Sequence, residues 1–282
     1  MLQGVTMIFL TQHAVPGGTR WAVQGYYLPD GFSLGLLLTI QRYGIGPLMR
    51  TLPGTEKAEH PLLAPIEADQ EVWACGVTYL RSRDARKAES QAGDVYQRVY
   101  EAQRPEIFFK SIGWRVVGYG EPVRMRADSA WNVPEPELVL VVNRWKEIVG
   151  FTLGNDMSSR SIEGENPLYL PQAKIYNGSC ALGPGIVLAE PGDLRALSIR
   201  LEILRDGQAV FEGETSLQNM KRQFQELVDY LCQETDFPEG VLVMTGTGIV
   251  PPESFTLQSG DVVRIRSAAP TGEPLVLENP VE

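Results

Sequence analysis

Histidine is almost missing from this chain: His13 and His60 are the only two in 282 residues. They lie too far apart for an HExxH motif, which disfavours histidine-based zinc chemistry. A serine triad would have to take its base from one of them, and no GxSxG elbow is present. Cysteine is scarce as well. Cys75, Cys180 and Cys232 are far apart and odd in number, so there is no CxxC pair and no disulfide framework, and a reducing, cytoplasmic setting is expected. No run reaches the roughly 18 apolar residues of a membrane helix. Leu36-Leu37-Leu38 and Leu138 to Val142 are strand-sized. The first basic residue is Arg20, so the opening residues have no basic n-region and a signal peptide is not expected. Positive charge is short, with 25 Lys+Arg against 35 Asp+Glu and a net charge of −10. That argues against a nucleic-acid partner and leaves carboxylates to hold a metal. There is no GxxxxGK[ST] and no GxGxxG after a strand, so phosphate-loop and dinucleotide sites lack support.

The composition is globular, with 43% apolar and 21% charged residues. The length suits one large domain or two unequal ones. Residues 1–66 are rich in Gly, Pro and Leu, with turn signals at Pro16-Gly17-Gly18 and Pro29-Asp30-Gly31. They read as a small N-terminal α/β domain, with a short helix over Leu34 to Arg42 and a linker from Pro53 to Pro65. Residues 67–282 form the main domain, and their pattern is mostly strands. Val72 to Val77 and Ile107 to Lys110 are strand-like, and between them Arg81 to Gln103 is highly charged, either a surface helix or a mobile, lid-like loop. Glu137 to Val142 and Ile148 to Leu153 suit an antiparallel hairpin. Leu197 to Leu204 and Gln208 to Gly213 flank Asp206-Gly207, a strong hairpin signal. Met220, Phe224, Leu227, Val228 and Leu231 then recur at helical spacing, with Thr215 and Gln218 as a capping box. Val241 to Thr245 and Asp261 to Ser267 return to strand character. Many strands and few helices predict an α+β fold rather than alternating β-α units.

Chemistry concentrates in a few places. In extended chain, Glu135 and Glu137 point to one face. Two carboxylates so close raise each other's pKa unless a cation neutralises them, and a hard divalent ion with oxygen ligands does so. The competing reading is a solvated edge strand with two exposed glutamates. Asp156 sits where the next strand ends and could approach the pair as a hairpin; its alternative role is an N-cap or Asx-turn. Three carboxylates plus waters would suit octahedral Mg²⁺ or Mn²⁺. Lys174 stands alone in a stretch poor in charge, as a catalytic amine or a snorkelling surface side chain. Lys110, after Ile107-Phe108-Phe109, invites the same two readings.

Together, these segments resemble the fumarylacetoacetate hydrolase family from about Val72 onward. The landmarks run in order: Gly76-Val77-Thr78-Tyr79, Phe108-Phe109-Lys110, Glu135-x-Glu137, Gly150 to Arg160, Lys174 before a Gly-Pro turn, Met244-Thr245-Gly246-Thr247, and Ser259 to Val263. The resemblance implies a mixed β-roll and a divalent metal, Mg²⁺ or Mn²⁺, on Glu135, Glu137 and Asp156, with Lys174 as the active-site lysine. The family's usual His and Glu in NYxxHxxE are replaced by Ser82 and Ala85, which puts carbon–carbon bond hydrolysis in doubt. Ser161 to Lys174 resembles a narrower branch, dehydratases of 2-keto-3-deoxy sugar acids. The expected partner is a small 2-oxo acid, and the expected assembly a homodimer or homotetramer. Lys110 is expected to hold the substrate carboxylate. Glu89 and Glu163 (or Glu165) are candidate proton carriers. Asn177 and Thr245 are candidate substrate hydrogen-bonders, with turn and strand roles as their alternatives. An acylpyruvate hydrolase or oxaloacetate decarboxylase is the alternative activity.

Overall fold

In the computed structural model, residues 8–52, 54–89, 93–189, 194–267 and 274–282 are described. The strands are β1 (Ile8–Val15), β2 (Gly18–Val23), β3 (Tyr26–Tyr27), β4 (Leu62–Leu63), β5 (Glu71–Gly76), β6 (Glu106–Ile112), β7 (Asn132–Val133) and β8 (Pro136–Val142). They continue as β9 (Ile148–Asp156), β10 (Ser158–Ser159), β11 (Cys180–Leu188), β12 (Ser198–Arg205), β13 (Gln208–Ser216), β14 (Val241–Met244), β15 (Val262–Ser267) and β16 (Leu275–Pro280). Seven helices are named here: α1 (Leu34–Leu37), α2 (Arg42–Met49), α3 (Leu80–Glu89), α4 (Gly93–Glu101), α5 (Arg160–Glu165), α6 (Leu170–Lys174) and α7 (Phe224–Leu231).

A ten-stranded mixed sheet runs β3-β2-β1-β11-β9-β8-β14-β5-β6, with β4 added beside β1. A second, four-stranded antiparallel sheet, β13-β12-β15-β16, packs over β8 and β9. This is the β-rich α+β architecture that the strand pattern predicts. Every residue of β8 and β9 is buried, because both faces of β8 are covered. Leu138, Leu140 and Val142 enter the core shared with the smaller sheet and α7. Val141 and Val139 face two other clusters, one built with α1 and α2 and one against β5, β11 and β14. A strand covered on both faces needs apolar residues at successive positions rather than alternate ones, which explains the unbroken Leu138 to Val142 run.

The predicted β8–β9 hairpin is present, with Leu138 opposite Leu153 and Leu140 opposite Phe151. So is the β12–β13 hairpin, whose Asp206 and Gly207 both take positive φ (52° and 77°) as a tight primed turn needs. Three expectations need correcting. The helix over Leu34 to Arg42 is two helices with a break, where Thr39 Oγ1 turns back to the Leu36 carbonyl at 2.7 Å. The stretch from Pro53 to Pro65 carries β4, paired with β1 through Leu62 and Leu63; Pro53 itself lies outside the described residues. Thr215 and Gln218 do not open α7. Thr215 belongs to β13, and Ser216 Oγ accepts from the Gln218 amide to start a single 3-10 turn. The helix begins later, where Glu226 reaches back to the Gln223 amide at 3.2 Å.

Candidate active site

The acidic cluster is made by the paired ends of two central strands. Glu135 immediately precedes β8, Glu137 is the second residue of β8, and Asp156 closes β9. The Asp156 amide donates to the Glu135 carbonyl at 2.9 Å, which draws the two side chains to one end of the sheet. Ligand oxygens of Glu135, Glu137 and Asp156 all lie within 4.8 Å of one another, and the three residues are buried. They are not on a solvated edge strand: β8 lies between β9 and β14.

Cations surround this triad. Lys174, the last residue of α6, donates from Nζ to Glu135 Oε2 (2.6 Å), Asp156 Oδ2 (2.7 Å) and Ser158 Oγ (2.5 Å). Arg160 Nη2 donates to Glu135 Oε1 at 2.8 Å. Lys110 Nζ is 2.5 Å from Asp156 Oδ1. Three buried carboxylates therefore face three buried cationic side chains, and an uncompensated charge among them would be costly. Glu137 is the least well balanced. Burial, then the charges of Asp156 and Glu135, push its carboxyl well above the usual carboxylate range, against the opposing pull of Lys174 and the Gly246 amide. The Lys110 ammonium is pushed down, first by burial, although Asp156 opposes the shift.

Backbone geometry supports the triad. The Gly246 amide donates to Glu137 Oε2 at 2.5 Å. Gly246 has φ +89°, and a Cβ there would stand 2.1 Å from Thr78 Oγ1, so only glycine suits the position. Just after β5, Val77 is left-handed (φ 53°), a strained state for a β-branched residue. The next residue anchors it, with Thr78 Oγ1 donating to the Thr245 carbonyl (2.7 Å) and the Thr78 carbonyl accepting from the Lys221 amide (2.9 Å).

A cleft of about 330 Å³, measured out to open solvent, lies over Glu135, Asp156 and Lys174. β6 lines it with Glu106 and Phe108, α5 and α6 with Glu163 and Leu170, and α3 and α4 with Ser82 and Tyr96. Glu106 packs against the bare backbone of Gly76, its cross-strand partner, where a Cβ would lie 2.0 Å from Glu106 Oε2.

The structure thus brings Lys174 and Glu163 together with the acidic triad. It places other candidates elsewhere. Lys110 is fully buried behind Asp156 and also donates to the carbonyls of Met157 (3.1 Å) and Lys174 (2.5 Å). Two hydrogen bonds and the ion pair with Asp156 Oδ1 tie its ammonium to protein oxygens, so it braces Asp156 and the Lys174 backbone. Thr245 is buried, with Oγ1 donating to the Leu138 carbonyl at 3.0 Å. Asn177 is exposed in the turn before β11, and Glu165 is exposed on α5. Glu89 ends α3, and its side chain lies outside the described residues. Among the described residues neither histidine lines the cleft; His13 is bonded to Thr11 Oγ1 (2.8 Å) and the His60 carbonyl (2.7 Å). Sequence reasoning did not single out Glu106, Ser158 or Tyr96. Glu106 was detectable: it shares the two-residue period of Phe108 and Lys110, which puts all three on one side of an extended strand.

Hard carboxylate oxygens clustered in a buried pocket, one of them disfavoured in its charged form, fit Mg²⁺ or Mn²⁺. Fold and pocket together mark a class, the divalent-metal-dependent enzymes built on a mixed β fold. The fumarylacetoacetate (FAA) hydrolase C-terminal family matches residues 71–281, and the chain belongs to that family. It is 48% identical over 202 residues (71% of this chain, 69% of the relative) to the Haloferax volcanii protein named "Probable 2-keto-3-deoxyxylonate dehydratase". It is 43% identical over 200 residues (69% and 67%) to the Saccharolobus solfataricus "2-dehydro-3-deoxy-D-arabinonate dehydratase". A solved 2-keto-3-deoxy-D-arabinonate dehydratase complexed with magnesium and 2,5-dioxopentanoate superposes with a TM-score of 0.78 at 31% identity, covering 97% of this chain and 98% of that one.

Proposed function

We propose that this protein is a divalent-metal-dependent hydro-lyase that converts a 2-keto-3-deoxy-pentonate into 2,5-dioxopentanoate in sugar-acid catabolism. The observation that carries the reading is the buried Glu135–Glu137–Asp156 triad with Lys174 bonded to two of its members. The relatives' names, 43% and 48% identical, choose the substrate class. Glu135, Glu137 and Asp156 would hold Mg²⁺ or Mn²⁺. When bound, the ion supplies Lewis-acid stabilisation of negative charge on a 2-oxo acid.

The reaction removes a proton from C3 and expels the C4 hydroxyl as water. The C3–C4 alkene so formed isomerises as C5 loses a proton and C3 regains one, and the resulting C4–C5 enol tautomerises, its hydroxyl proton going to C4, which leaves a terminal aldehyde with every carbon kept. Lys174, on the cleft floor, sits beside the oxo-acid end as base or as electrostatic stabiliser. Among the described residues, Glu163 and Glu106 are the cleft carboxylates outside the triad, and they carry protons to and from C3 and the leaving hydroxyl. Phe108 and Leu170 give the walls an apolar surface that limits water. Glu89 keeps its place as a further candidate proton carrier. Lys110 supports Asp156, and Asn177 and Thr245 support the turn and strand that bound the site.

The acylpyruvate hydrolase and oxaloacetate decarboxylase reading is the weaker, because Ser82 occupies the place of the family's histidine and no histidine lines the cleft among the described residues. The division into residues 1–66 and 67–282 belongs to this proposal and is supported by a family match that starts at residue 71. So does a cytoplasmic homodimer or homotetramer. All three cysteines are buried and free, as a reducing compartment allows, and no helix among the described residues is long and apolar enough to cross a membrane. The test is a panel of 2-keto-3-deoxy acids assayed for aldehyde with Mg²⁺ and with EDTA. Pentonate-dependent aldehyde that disappears with EDTA is the expected result; pyruvate plus an acid from an acylpyruvate would establish the hydrolase instead.

A further inference from the structure

The chain leaves the long sheet after β5, forms α3 and α4, and returns as β6. This excursion supplies Ser82 and Tyr96 to the cleft. One short loop, between β13 and α7, holds both of its ends. At the start, the Lys221 amide donates to the Thr78 carbonyl at 2.9 Å, and Tyr79 forms a β-bridge with Met220. At the finish, Arg222 takes the carbonyls that α4 leaves unsatisfied. Its Nη2 donates to Ala102 (2.7 Å) and Val99 (3.3 Å), and its Nη1 donates to Gln103 (2.9 Å). Lys221 Nζ adds a bond to the Tyr100 carbonyl and lies 4.5 Å from the Tyr100 ring centroid.

A cation at a helix C-terminus satisfies orphan carbonyls and opposes the negative end of the dipole. Arg222 does this while buried, only 5% exposed, and it is itself fixed by Glu226 Oε1 on α7 at 2.8 Å. Arg195 sets the loop beneath it by donating to the carbonyls of Met220 (2.9 Å) and Arg222 (2.5 Å). We infer that Arg222 is a positioning residue for substrate: by clamping the end of α4 to the 217–222 loop it fixes Tyr96 as one wall of the cleft and thereby sets how well the sugar-acid chain is held. Arg222 does not line the cleft, so it acts through α4. This rests on the dehydratase reading for its substrate, although the clamp itself does not.

The experiment compares full-length wild type, Arg222→Met, Arg222→Lys, Tyr96→Ala and the double variant Arg222→Met/Tyr96→Ala, each with Mg²⁺ and 2-keto-3-deoxy-pentonate. Arg222→Met is expected to raise KM about tenfold with kcat within about threefold. It is also expected to speed tryptic cleavage between residues 80 and 103, with Arg222→Lys recovering part of both. If Arg222 works through the wall, Tyr96→Ala raises KM alone and Arg222→Met adds little in that background. Full additivity of the two substitutions, or a fall in thermal stability with KM unchanged, would overturn the inference. If wild type turns over no pentonate, the dehydratase reading fails, and proteolysis then decides: cleavage no faster in Arg222→Met than in wild type sinks the clamp as well.

Discussion

Replacing Lys174 by methionine keeps the bulk of the side chain and removes the ammonium that bonds Glu135 and Asp156. Both carboxylates are buried, and breaking one side of a buried ion pair costs about 3–5 kcal/mol. Arg160 and Lys110 remain in contact with the same two acids, so a loss near the lower figure, about 3 kcal/mol, is expected. At about 2–4 °C per kcal/mol for a chain of this order of size, the metal-free variant should melt about 6–12 °C below wild type. Magnesium should then act unequally. In wild type the ion must share oxygens already engaged by an ammonium; in the variant it meets carboxylates short of one positive charge. A hundredfold excess over Kd adds about 2.7 kcal/mol, and that stabilisation should be reached at a lower magnesium concentration in Lys174→Met. The assay is thermal unfolding in EDTA and across a magnesium titration, beside turnover, which should fall by about 10²–10⁴-fold for a lost acid–base group. An unchanged melting point in EDTA, or identical magnesium titrations for the two proteins, would refute the view that Lys174 balances the triad.

Asp156→Asn should abolish the magnesium-dependent melting shift and turnover while circular dichroism stays native; full activity would remove Asp156 from the metal set. Gly246→Ala places a Cβ 2.1 Å from Thr78 Oγ1 in a left-handed backbone. It should cost about 1–3 kcal/mol in urea unfolding and weaken magnesium binding, because the Gly246 amide steadies Glu137. Burial pushes the Cys180 thiol up from 9.0 to about 12, so between those values the folded protein binds more protons than the unfolded chain. That contribution is complete below pH 9 and declines as pH rises toward 12. Urea midpoints should therefore fall across that window, and a Cys180→Ala variant should show a shallower fall.

Legibility in the sequence followed the range of the interactions. The Leu138 to Val142 run and the Asp206-Gly207 turn announced their elements because a doubly covered strand and a primed turn are local demands. The triad needed more. Period two aligned Glu135 with Glu137, but Asp156 joins them through one cross-strand register, and family resemblance, rather than spacing, selected it. Lys110 was ambiguous because a lysine after apolar residues suits a substrate contact and a buried brace equally; its bonds to Met157 and Asp156 are long-range and left no local trace. Arg222 gave no local signal, since its carbonyl partners lie some 120 residues away in the chain.

The cleft has a floor and a wall of different provenance. Glu137 and Asp156 lie on strands buried at every position and Glu135 just ahead of one, whereas Ser82 and Tyr96 hang on a detour fastened mainly at its two ends. Such an arrangement divides the labour: a substitution in the detour, as at Ser82, recasts the wall and what it can do to a bound molecule, while the carboxylates of the floor stay where the sheet puts them.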